Sequence, residues 1–394
     1  MRILQICHKS PFPPAEGGPM AMKAIRDGLS EAGHCVHTFA LSTPKFKIDK
    51  EFASGVNDFS FSFVDTTVKF LPALFNLCLN KSYHISRFYK RRIFQEISNI
   101  LKESAYDAIL VESIFMMPYF KQIKKIFNGP VVLRGHNIEH IIWERIAGNE
   151  KNFLKKIYLK ILAKQLKHYE VKCFSVVDAI ASISDVDTEI IKNICPGSKV
   201  QTIPFAIKSR SDVIIKNIFS ARFGHIGSMD WIPNLEGINW FMEQVWPEII
   251  KENPDAEFYL AGRNMPIDLV SNSDLNLFVE GEVESAEDFM KQLDALVVPL
   301  LSGSGVRIKI AEALSLGVPV ITTPVGCEGL KVTNEKDIIV CKDAKDMVEK
   351  IRKVIQEPET LYNIAREAVK TISQHHEPQK ITKLLVDLLE NKQL

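Results

Sequence analysis

The sequence predicts an α/β protein built from two doubly wound, Rossmann-like domains. In both halves, short apolar runs of strand length alternate with amphipathic stretches of helix length. The chain has 394 residues, which is long for one hydrophobic core and suits two domains of about 200 residues each. We expect one domain over 1–205, a second over 206–375, and a C-terminal helix over 376–394 that packs back on the first domain.

The first half opens with a strand, a loop, a helix and a second strand, which is the start of a parallel sheet. The loop is rich in proline and glycine, and its sequence is KSPFPPAEGGPMA. The helix that follows is MKAIRDGLSEAG. Strands are predicted at ILQIC, CVHTFAL, DAILVE, VVLRG, AIASIS and VQTIPF.

The second half repeats the alternation of strands and helices. A long helix, NLEGINWFMEQVWPEIIKENP, is predicted after the first strand, and Asp230 and Asn234 are expected to cap its start. In such folds, ligands bind beyond the carboxyl ends of the strands, so we expect a ligand cleft where the two domains face each other. Strands are predicted at FGHIGS, AEFYLAGR, LNLFVEG, ALVVPLL, VPVITTP and DIIVC.

Cysteine usage and hydropathy indicate a cytoplasmic protein. The seven cysteines are scattered and never form CxxC, which argues against a disulfide framework and against a cysteine zinc site. The N-terminal run MRILQICH is shorter than a signal peptide, and no stretch approaches the roughly 18 apolar residues of a membrane span.

The net charge of +1 hides a strong asymmetry. Residues 1–210 carry 30 Lys and Arg against 19 Asp and Glu, whereas the remainder carries 19 against 29. Basic residues with aromatics cluster at 82–94, 121–127 and 151–174, either as solvated faces of amphipathic helices or as a surface for the anionic inner membrane. Nucleic-acid binding is disfavoured because the second half is acidic and contains no recognised reader motif.

The segment between Pro299 and Gly329 has the composition of a phosphate-binding turn. Glycines follow a strand and precede a helix expected to start near Val306, so backbone N–H groups and the helix N-terminus can hold an anion. Two cations follow, and a carboxylate one turn further along has the reach to a ribose-like diol. A plain loop with solvated helix charges remains the other interpretation. The predicted contacts are Gly303, Ser304, Gly305, Val306, Arg307, Lys309 and Glu312.

The stretch SGSGVRIKIAEALSLGVPVITTPVGCEG resembles the donor-binding signature of glycosyltransferase family 4, the retaining GT-B enzymes. The resemblance extends to PFPPAEGG near the N-terminus, to HIGSMDWIPNLEGINWF, and to AGR and FVEGEV. It implies a GT-B fold in which the domain over 1–205 binds the acceptor and the domain over 206–375 binds a nucleotide-sugar donor. It also implies Gly17 and Gly18 near the donor phosphate, His136 on the donor sugar or phosphate, Glu312 on the ribose, Glu280 and Val283 at the base, and Gly227 in the donor site.

Two departures from the family pattern bear on the donor site. Family members usually carry a glutamate at the position of Ser304, where it contacts sugar hydroxyls. Many also carry Arg and Lys after the first strand of the second domain, where this chain has 228–231, SMDW, without a cation. We expect Arg307 and Lys309 to supply the missing charge.

The resemblance implies a metal-independent transfer. The nucleotide diphosphate leaves, cations and amides stabilise it, and an acceptor hydroxyl attacks the same face of the sugar. The leaving phosphate takes the acceptor proton, and domain closure excludes water. The acceptor is expected to be a glycan or a lipid-linked hydroxyl in bacterial surface polysaccharide or glycolipid assembly, with the enzyme peripheral at the inner membrane face.

Two other functions fit the same architecture. A nucleotide-sugar epimerase or hydrolase would need acid and base carboxylates in the first domain, where the sequence shows no convincing pair. A non-catalytic nucleotide-sugar binding protein, such as a two-lobed solute receptor, is disfavoured by the absence of a signal peptide.

The stretch HNIEH spells H-x-x-E-H, a zinc signature of some metalloproteases when both histidines lie on one helix. Here the strand VVLRG precedes it directly, so His136 is predicted at a strand end. The helix is expected to start near Asn137 and to include Glu139 and His140. A zinc hydrolase is therefore the less favoured hypothesis.

Overall fold

The computed structural model describes residues 1–14, 16–208, 210, 213–303 and 305–390, apart from the side chain of Cys78. The predicted donor contact Ser304 lies outside the described residues. The chain forms two compact units. Unit 1 comprises Met1–Ala206 and the C-terminal stretch from Pro378, and unit 2 comprises Ile207–Glu377.

Unit 1 contains a parallel sheet of seven strands in the order β3-β2-β1-β4-β5-β6-β7. Both faces of the sheet are covered, which explains why its central strands are nearly continuous apolar runs. The strands are β1 (Arg2–Cys7), β2 (Cys35–Ser42), β3 (Phe59–Phe63), β4 (Ala108–Glu112), β5 (Val131–Gly135), β6 (Ala179–Ser182) and β7 (Val200–Thr202).

Alternate residues of these strands pack into two cores. Ile109 and Val111 of β4 face one core, and Leu110 faces the other. The helices are α1 (Gly17–Glu31), α2 (Lys50–Ser54), α3 (Phe70–Cys78), α4 (Tyr83–Ser86), α5 (Arg91–Glu103), α6 (Phe120–Ile123), α7 (Glu139–Asn149), α8 (Phe153–Val176) and α9 (Asp185–Ile194), with a 3-10 helix at Ile114–Tyr119.

The C-terminal helix of the chain packs in unit 1, against α1 and the sheet. Its apolar residues Ile381, Leu385, Leu388 and Leu389 join the core beneath that helix. The approach is so close that a Cβ at Gly28 would lie 2.3 Å from Thr382 Oγ1. A glycine at position 28 is therefore part of the packing.

Unit 2 contains a parallel sheet of six strands in the order β10-β9-β8-β11-β12-β13, which is the Rossmann order. The strands are β8 (Arg222–Ile226), β9 (Glu257–Ala261), β10 (Leu277–Gly281), β11 (Ala295–Val298), β12 (Val320–Thr322) and β13 (Ile339–Val340). The helices are α10 (Ile232–Gln244), α11 (Trp246–Glu252), α12 (Ala286–Gln292), α13 (Ile308–Ser315), α14 (Ala344–Gln356) and α15 (Glu359–His375), with a 3-10 helix at Ser273–Leu275, and α16 (Pro378–Leu389) then returns to unit 1.

Three local predictions are wrong. Strand β3 was not predicted, because its alternating sequence FSFSF has serine at every second position and lies at the edge of the sheet. The long helix after β8 is two helices that meet at Val245, since Pro247 cannot continue the backbone hydrogen bonds of the first. Helix α1 begins at Gly17, so Gly17 and Gly18 lie in a helix rather than in the preceding loop.

Candidate functional site

In both sheets the strand order reverses at a switch point, where ligands of doubly wound folds usually bind. In unit 1 it lies between β1 and β4, and in unit 2 between β8 and β11. The chemically distinctive residues of each unit lie at these two places.

A buried carboxylate organises the switch point of unit 1. Glu112, the last residue of β4, is fully buried. Its Oε1 accepts a hydrogen bond from Gln5 Nε2 at 2.8 Å, and its Oε2 lies 2.8 Å from His136 Nε2 and 3.5 Å from Arg134 Nη1. His8, just beyond β1, contacts the backbone carbonyl of Glu112 through Nδ1 at 3.0 Å. Strands β1, β4 and β5 thus converge on one anion.

The charges in this network are balanced. Burial would raise the pKa of Glu112, but Arg134, His136 and Gln5 outweigh it and lower the pKa to about 2. Burial lowers the pKa of His136, despite its hydrogen bond to Glu112. His136 is therefore neutral near pH 7, its Nε2–H donates to the carboxylate, and Nδ1 is left as an acceptor of the kind that binds a sugar hydroxyl.

The backbone beside Glu112 is strained. Ser113 has φ of 100°, a conformation that favours glycine. Its N–H donates to the backbone carbonyl of Arg134 at 3.0 Å, which joins the ends of β4 and β5. Strain of this kind is typical of functional sites, where the surrounding structure enforces it.

The two histidines of HNIEH contact different glutamates. His136 lies beyond β5 and contacts Glu112. His140 lies in α7, and its Nδ1 is 2.6 Å from Glu170 Oε2. Glu170 of α8 also accepts the backbone N–H groups of Glu139 and His140, so it caps α7. The helix begins at Glu139, two residues later than predicted.

Glu139 itself is a second unusual carboxyl group. Burial, together with the charge of Glu170, raises its pKa to about 7. Lys9 opposes this increase. Lys9 also pairs with Glu16 at 3.3 Å, and its Nζ would lie 3.1 Å from a Cβ at Gly18. Gly17 and Gly18 are therefore the first residues of α1 and lie beside Lys9, within unit 1.

In unit 2, the glycine turn after β11 has the backbone that the sequence predicts. Gly303 has φ of 118° and Gly305 has φ of 82°, both in the region that favours glycine. A Cβ at Gly303 would lie 2.6 Å from Arg307 Nη2. Arg307 is the N-cap of α13, so the helix begins two residues after Val306. Its guanidinium lies 5.3 Å from the ring centre of Trp231, and its Nη1 donates to the carbonyl of Gly305.

Lys309 lies partly buried at the unit 2 switch point. Its Nζ lies 2.9 Å from the carbonyl of Ile226, 2.9 Å from Asn234 Oδ1 and 3.1 Å from His225 Nε2. His225 Nδ1–H in turn donates to the carbonyl of Val297 at 2.8 Å, which leaves its Nε2 as an acceptor. All three partners accept hydrogen bonds, so the three N–H groups of protonated Lys309 can each donate one, and the side chain joins β8 to α13.

Burial, and then the nearby charge of Arg307, lower the pKa of Lys309 to about 7. Deprotonation would leave one of the three acceptors without a donor. Asn234, which was expected to cap α10, instead bonds Lys309 and the carbonyl of Ser228, and the N-cap is Trp231. The prediction for Asn234 is therefore wrong.

Glycines bring the ends of β8, β9 and β10 together. A Cβ at Gly227 would lie 2.6 Å from Asn234 Nδ2 and 2.9 Å from Lys309 Nζ. A Cβ at Gly262 would lie 1.8 Å from the carbonyl oxygen of Gly227. The base-contact candidates Glu280, at the end of β10, and Val283, just beyond it, are respectively exposed and partly exposed.

Glu312 lies one turn inside α13, as predicted. Burial raises its pKa to about 7, against the charge of Arg210. Arg210 forms a two-pronged ion pair with Glu287, at 2.5 and 2.6 Å. Glu312 can therefore take up a proton near neutral pH.

Two kinds of feature are absent from the described residues, a metal-holding group of side chains and a membrane-spanning helix. Over the described ranges, no group of three or more His, Cys, Asp and Glu side chains is arranged to hold a metal ion. Among the helices of the described chain, none is both long and apolar enough to cross a membrane.

Sequence reasoning missed the residues that organise both switch points. In unit 1 these are Glu112 and His8, and in unit 2 they are His225 and Trp231. A usable signal existed for two of them: Glu112 ends an apolar strand, and His225 interrupts one. A polar residue in a buried strand needs a partner, which marks it for attention.

The two parallel Rossmann-like sheets give the protein the GT-B fold, the fold of a class of glycosyltransferases. Residues 220–357 match the family model described as glycosyl transferases group 1. This segment is similar to a glycosyl transferase group 1 domain, and the protein is a glycosyltransferase.

Similar proteins span nearly the full chain. A 44.6 kDa uncharacterised protein in the cps region of Klebsiella pneumoniae is 23% identical over 405 residues, covering 96% of this chain and 97% of that protein. HepE from Anabaena, solved in complex with UDP, has a TM-score of 0.68 at 13% identity and covers 99% of this chain and 100% of its own. WaaG, a glycosyltransferase involved in lipopolysaccharide biosynthesis, has a TM-score of 0.67 at 14% identity and covers 98% of this chain and 99% of its own.

Proposed function

We propose that this glycosyltransferase is retaining and metal-independent, and that it moves a sugar from a nucleotide sugar to a hydroxyl of a glycan or lipid-linked acceptor. The observation that carries the proposal is the glycine turn at Gly303 and Gly305, followed by Arg307 at the start of α13. Amides, a helix N-terminus and a guanidinium together suit a diphosphate. Glu312, one turn further along, suits the ribose.

The cations replace a metal ion in this proposal. Arg307 neutralises the departing diphosphate, and Lys309 holds the end of β8 against α13 so that the turn keeps its shape. Because the leaving phosphate takes the acceptor proton, the reaction needs no strong protein base. Neutral His136 is proposed to accept a hydrogen bond from a donor-sugar hydroxyl.

Two similar proteins support the proposed pathway. One relative belongs to a cps region, and a structural neighbour acts in lipopolysaccharide biosynthesis. We therefore place the enzyme in cell-surface polysaccharide or glycolipid assembly. HepE was solved in complex with UDP, which makes uracil the first base to test.

Peripheral association with the inner membrane face is part of the proposal. At the start of α8, Phe153 and Leu154 are 72% and 76% exposed, and on α3 Phe70 is 78% exposed. Gln165 of α8 donates a hydrogen bond to the carbonyl of Leu77 at 3.4 Å, so the two helices touch at that point. Lysines interleave with the apolar residues of α8, as in helices that lie on anionic lipid.

A thermal-shift screen with UDP-, GDP-, dTDP- and ADP-sugars tests the donor site. One donor should raise the melting temperature of the wild type, and Arg307→Gln should remove most of that shift. Arg366→Gln, an exposed arginine in the same unit, is the matched control and should keep it. If no nucleotide sugar stabilises the wild type, the donor site is wrongly assigned.

Product analysis tests the mechanism. With an acceptor found, NMR of the product should show the anomeric configuration of the donor, and EDTA should leave the rate unchanged. Inversion, or loss of the rate that added Mg²⁺ or Mn²⁺ restores, would contradict the proposal.

A nucleotide-sugar epimerase or hydrolase is the second candidate. The structure gives shifted pKa values to two carboxyl groups in unit 1 that the sequence did not assign as an acid and base pair, Glu112 and Glu139. Consumption of the donor without any acceptor, abolished by Glu139→Gln, would favour this candidate.

A further inference from the structure

Trp231 is an aromatic side chain in the loop between β8 and α10 of unit 2, and the proposed function assigns it no role. The loop, 228–231, contains no cation. It instead brings an indole ring to the cation of another loop, because the guanidinium carbon of Arg307 lies 5.3 Å from the centre of that ring. At this distance the face of an indole ring attracts a guanidinium.

Hydrogen bonds hold the loop that carries Trp231. The carbonyl of Trp231 accepts the N–H of Asn234 at 2.9 Å, where α10 begins. The side chain of Asn234 donates to the carbonyl of Ser228 at 2.9 Å. In the middle of the loop, Met229 is buried, and its N–H donates to the carbonyl of Arg263 at 2.9 Å. The indole ring therefore projects from a loop that is fixed at both ends and at its centre.

The glycine turn lies against both the indole ring and the guanidinium. A Cβ at Gly303 would lie 2.6 Å from Arg307 Nη2 and 3.4 Å from both Cη2 and Cζ2 of Trp231. The guanidinium also donates through Nη1 to the carbonyl of Gly305 at 2.6 Å. Arg307 is only 7% exposed, and the ring and the turn together form part of the enclosure of its guanidinium.

A cation at this position needs an attractive partner. Arg307 is the N-cap of α13, where the helix dipole presents partial positive charge. A second cation, Lys309, follows two residues later, and burial and then the charge of Arg307 lower its pKa. Both positive charges repel the guanidinium from the turn. The negative face of an indole ring opposes this repulsion and leaves the charge of the guanidinium available to an anion.

We propose that Trp231 is a positioning residue, which holds the guanidinium of Arg307 at the glycine turn for the diphosphate of the nucleotide sugar. The inference rests on the proposed function, because Arg307 is the diphosphate contact in that function. It adds that loop 228–231, which lacks a cation, acts on the diphosphate through an aromatic face that orients the cation of the other loop.

Isothermal titration with UDP, GDP, dTDP and ADP measures the effect on the diphosphate that binds the wild type most tightly. Trp231→Leu should weaken its binding about tenfold, as expected when an enclosed guanidinium loses its aromatic partner. Trp231→Phe keeps an aromatic face and should stay within about threefold of the wild type. Ile232→Ala, which removes the neighbouring exposed apolar side chain, is the matched control and should change the affinity by less than about twofold.

Rescue by phenylalanine separates positioning from packing. Leucine and phenylalanine both remove the second ring of the indole, so a role in packing alone would weaken binding equally in the two variants. Equal weakening in Trp231→Leu and Trp231→Phe would therefore overturn the inference. Wild-type affinity in Trp231→Leu would overturn it as well.

A double-mutant cycle with Arg307→Gln tests whether Trp231 acts through the guanidinium. In the Arg307→Gln background, Trp231→Leu should change the affinity by less than about twofold, because the group that it positions is absent. The same tenfold loss in both backgrounds would overturn the inference, while weak binding by Arg307→Gln alone would leave the donor site intact. Wild-type affinity in Arg307→Gln, or no binding of any of the four diphosphates to the wild type, would overturn the donor site and the inference with it.

Discussion

The two switch points have the same topology but contain central side chains of opposite charge. In unit 1, the buried anion Glu112 is surrounded by the donors Gln5, His136 and Arg134. In unit 2, the partly buried cation Lys309 is surrounded by the acceptors His225, Asn234 and the carbonyl of Ile226. In each case one charged side chain joins elements that are far apart in sequence.

The difference lies in the charge of the partners. Glu112 faces a full positive charge on Arg134, which is itself completely buried. Lys309 faces only neutral acceptors. Removing Glu112 would strand a buried charge, whereas removing Lys309 would strand neutral dipoles, so unit 1 should be the more sensitive of the two.

The largest effect is expected for Glu112→Gln. Because Arg134 loses its counter-charge, the free energy of unfolding should fall by about 3–5 kcal/mol in urea denaturation. Glu103→Gln, an exposed carboxylate at the end of α5, should be nearly neutral. A loss below about 1 kcal/mol for Glu112→Gln would show that Arg134 does not depend on it.

Lys309→Met should cost less. Three acceptors lose their donor but none is charged, so the expected loss in the same measurement is about 2–3 kcal/mol. Lys336→Met, at an exposed lysine of the same unit, is the control. If the Lys309 variant proved more damaging than the Glu112 variant, the ranking of the two networks would be reversed.

Glycine substitutions compare the packing at the two strand ends. Gly227→Ala brings a methyl group within 3 Å of Asn234 and Lys309, and should cost about 1–2 kcal/mol in urea. Gly135→Ala, at the end of β5, meets its nearest neighbour at 3.9 Å and should change stability by less than about 0.5 kcal/mol. Equal losses would mean that crowding around Lys309 is not what requires glycine at position 227.

The smallest effect is a pH dependence within unit 1. The pKa of Glu139 is raised to about 7 in the folded state, so the folded protein binds more protons than the unfolded chain between pH 4.5 and 7. Its contribution to stability is present below this window and is lost as the pH rises through it.

Relative to Glu139→Gln, the wild type should therefore lose on the order of 1 kcal/mol between pH 6 and pH 8. Thermal melts of both proteins at each pH measure the difference. Glu112, whose pKa is lowered to about 2, should contribute no slope in this range, so a wild-type slope that survives in Glu139→Gln would assign the titration to another group.

Most of the fold could be predicted from the sequence because buried parallel strands are continuous apolar runs. The strands around Leu110 and Val297 are of this kind, and both were predicted. The edge strand β3 was not predicted, since alternation of Phe and Ser over five residues is a weak signal. The break at Val245 shows how one proline overrides a helical pattern twenty residues long.

The candidate site was predicted in part. The glycine turn around Gly303 was predicted because a backbone with positive φ leaves a direct mark on the sequence. The position of His136 at a strand end followed from the glycine before it. The network around Glu112 left no comparable mark, since Gln5, Glu112 and Arg134 come from three separate strands.

The sequence by itself determined two α/β units, the turn before α13 and the placing of His136 beyond β5, because each depends on neighbours within a few residues. Only the tertiary structure decided that Gln5 and His136 share Glu112, and that His225 and Asn234 share Lys309. Hydrogen bonds between buried side chains depend on distances of about 3 Å. Partners more than a hundred residues apart, such as Gln5 and Glu112, reach that distance only when the sheet has formed.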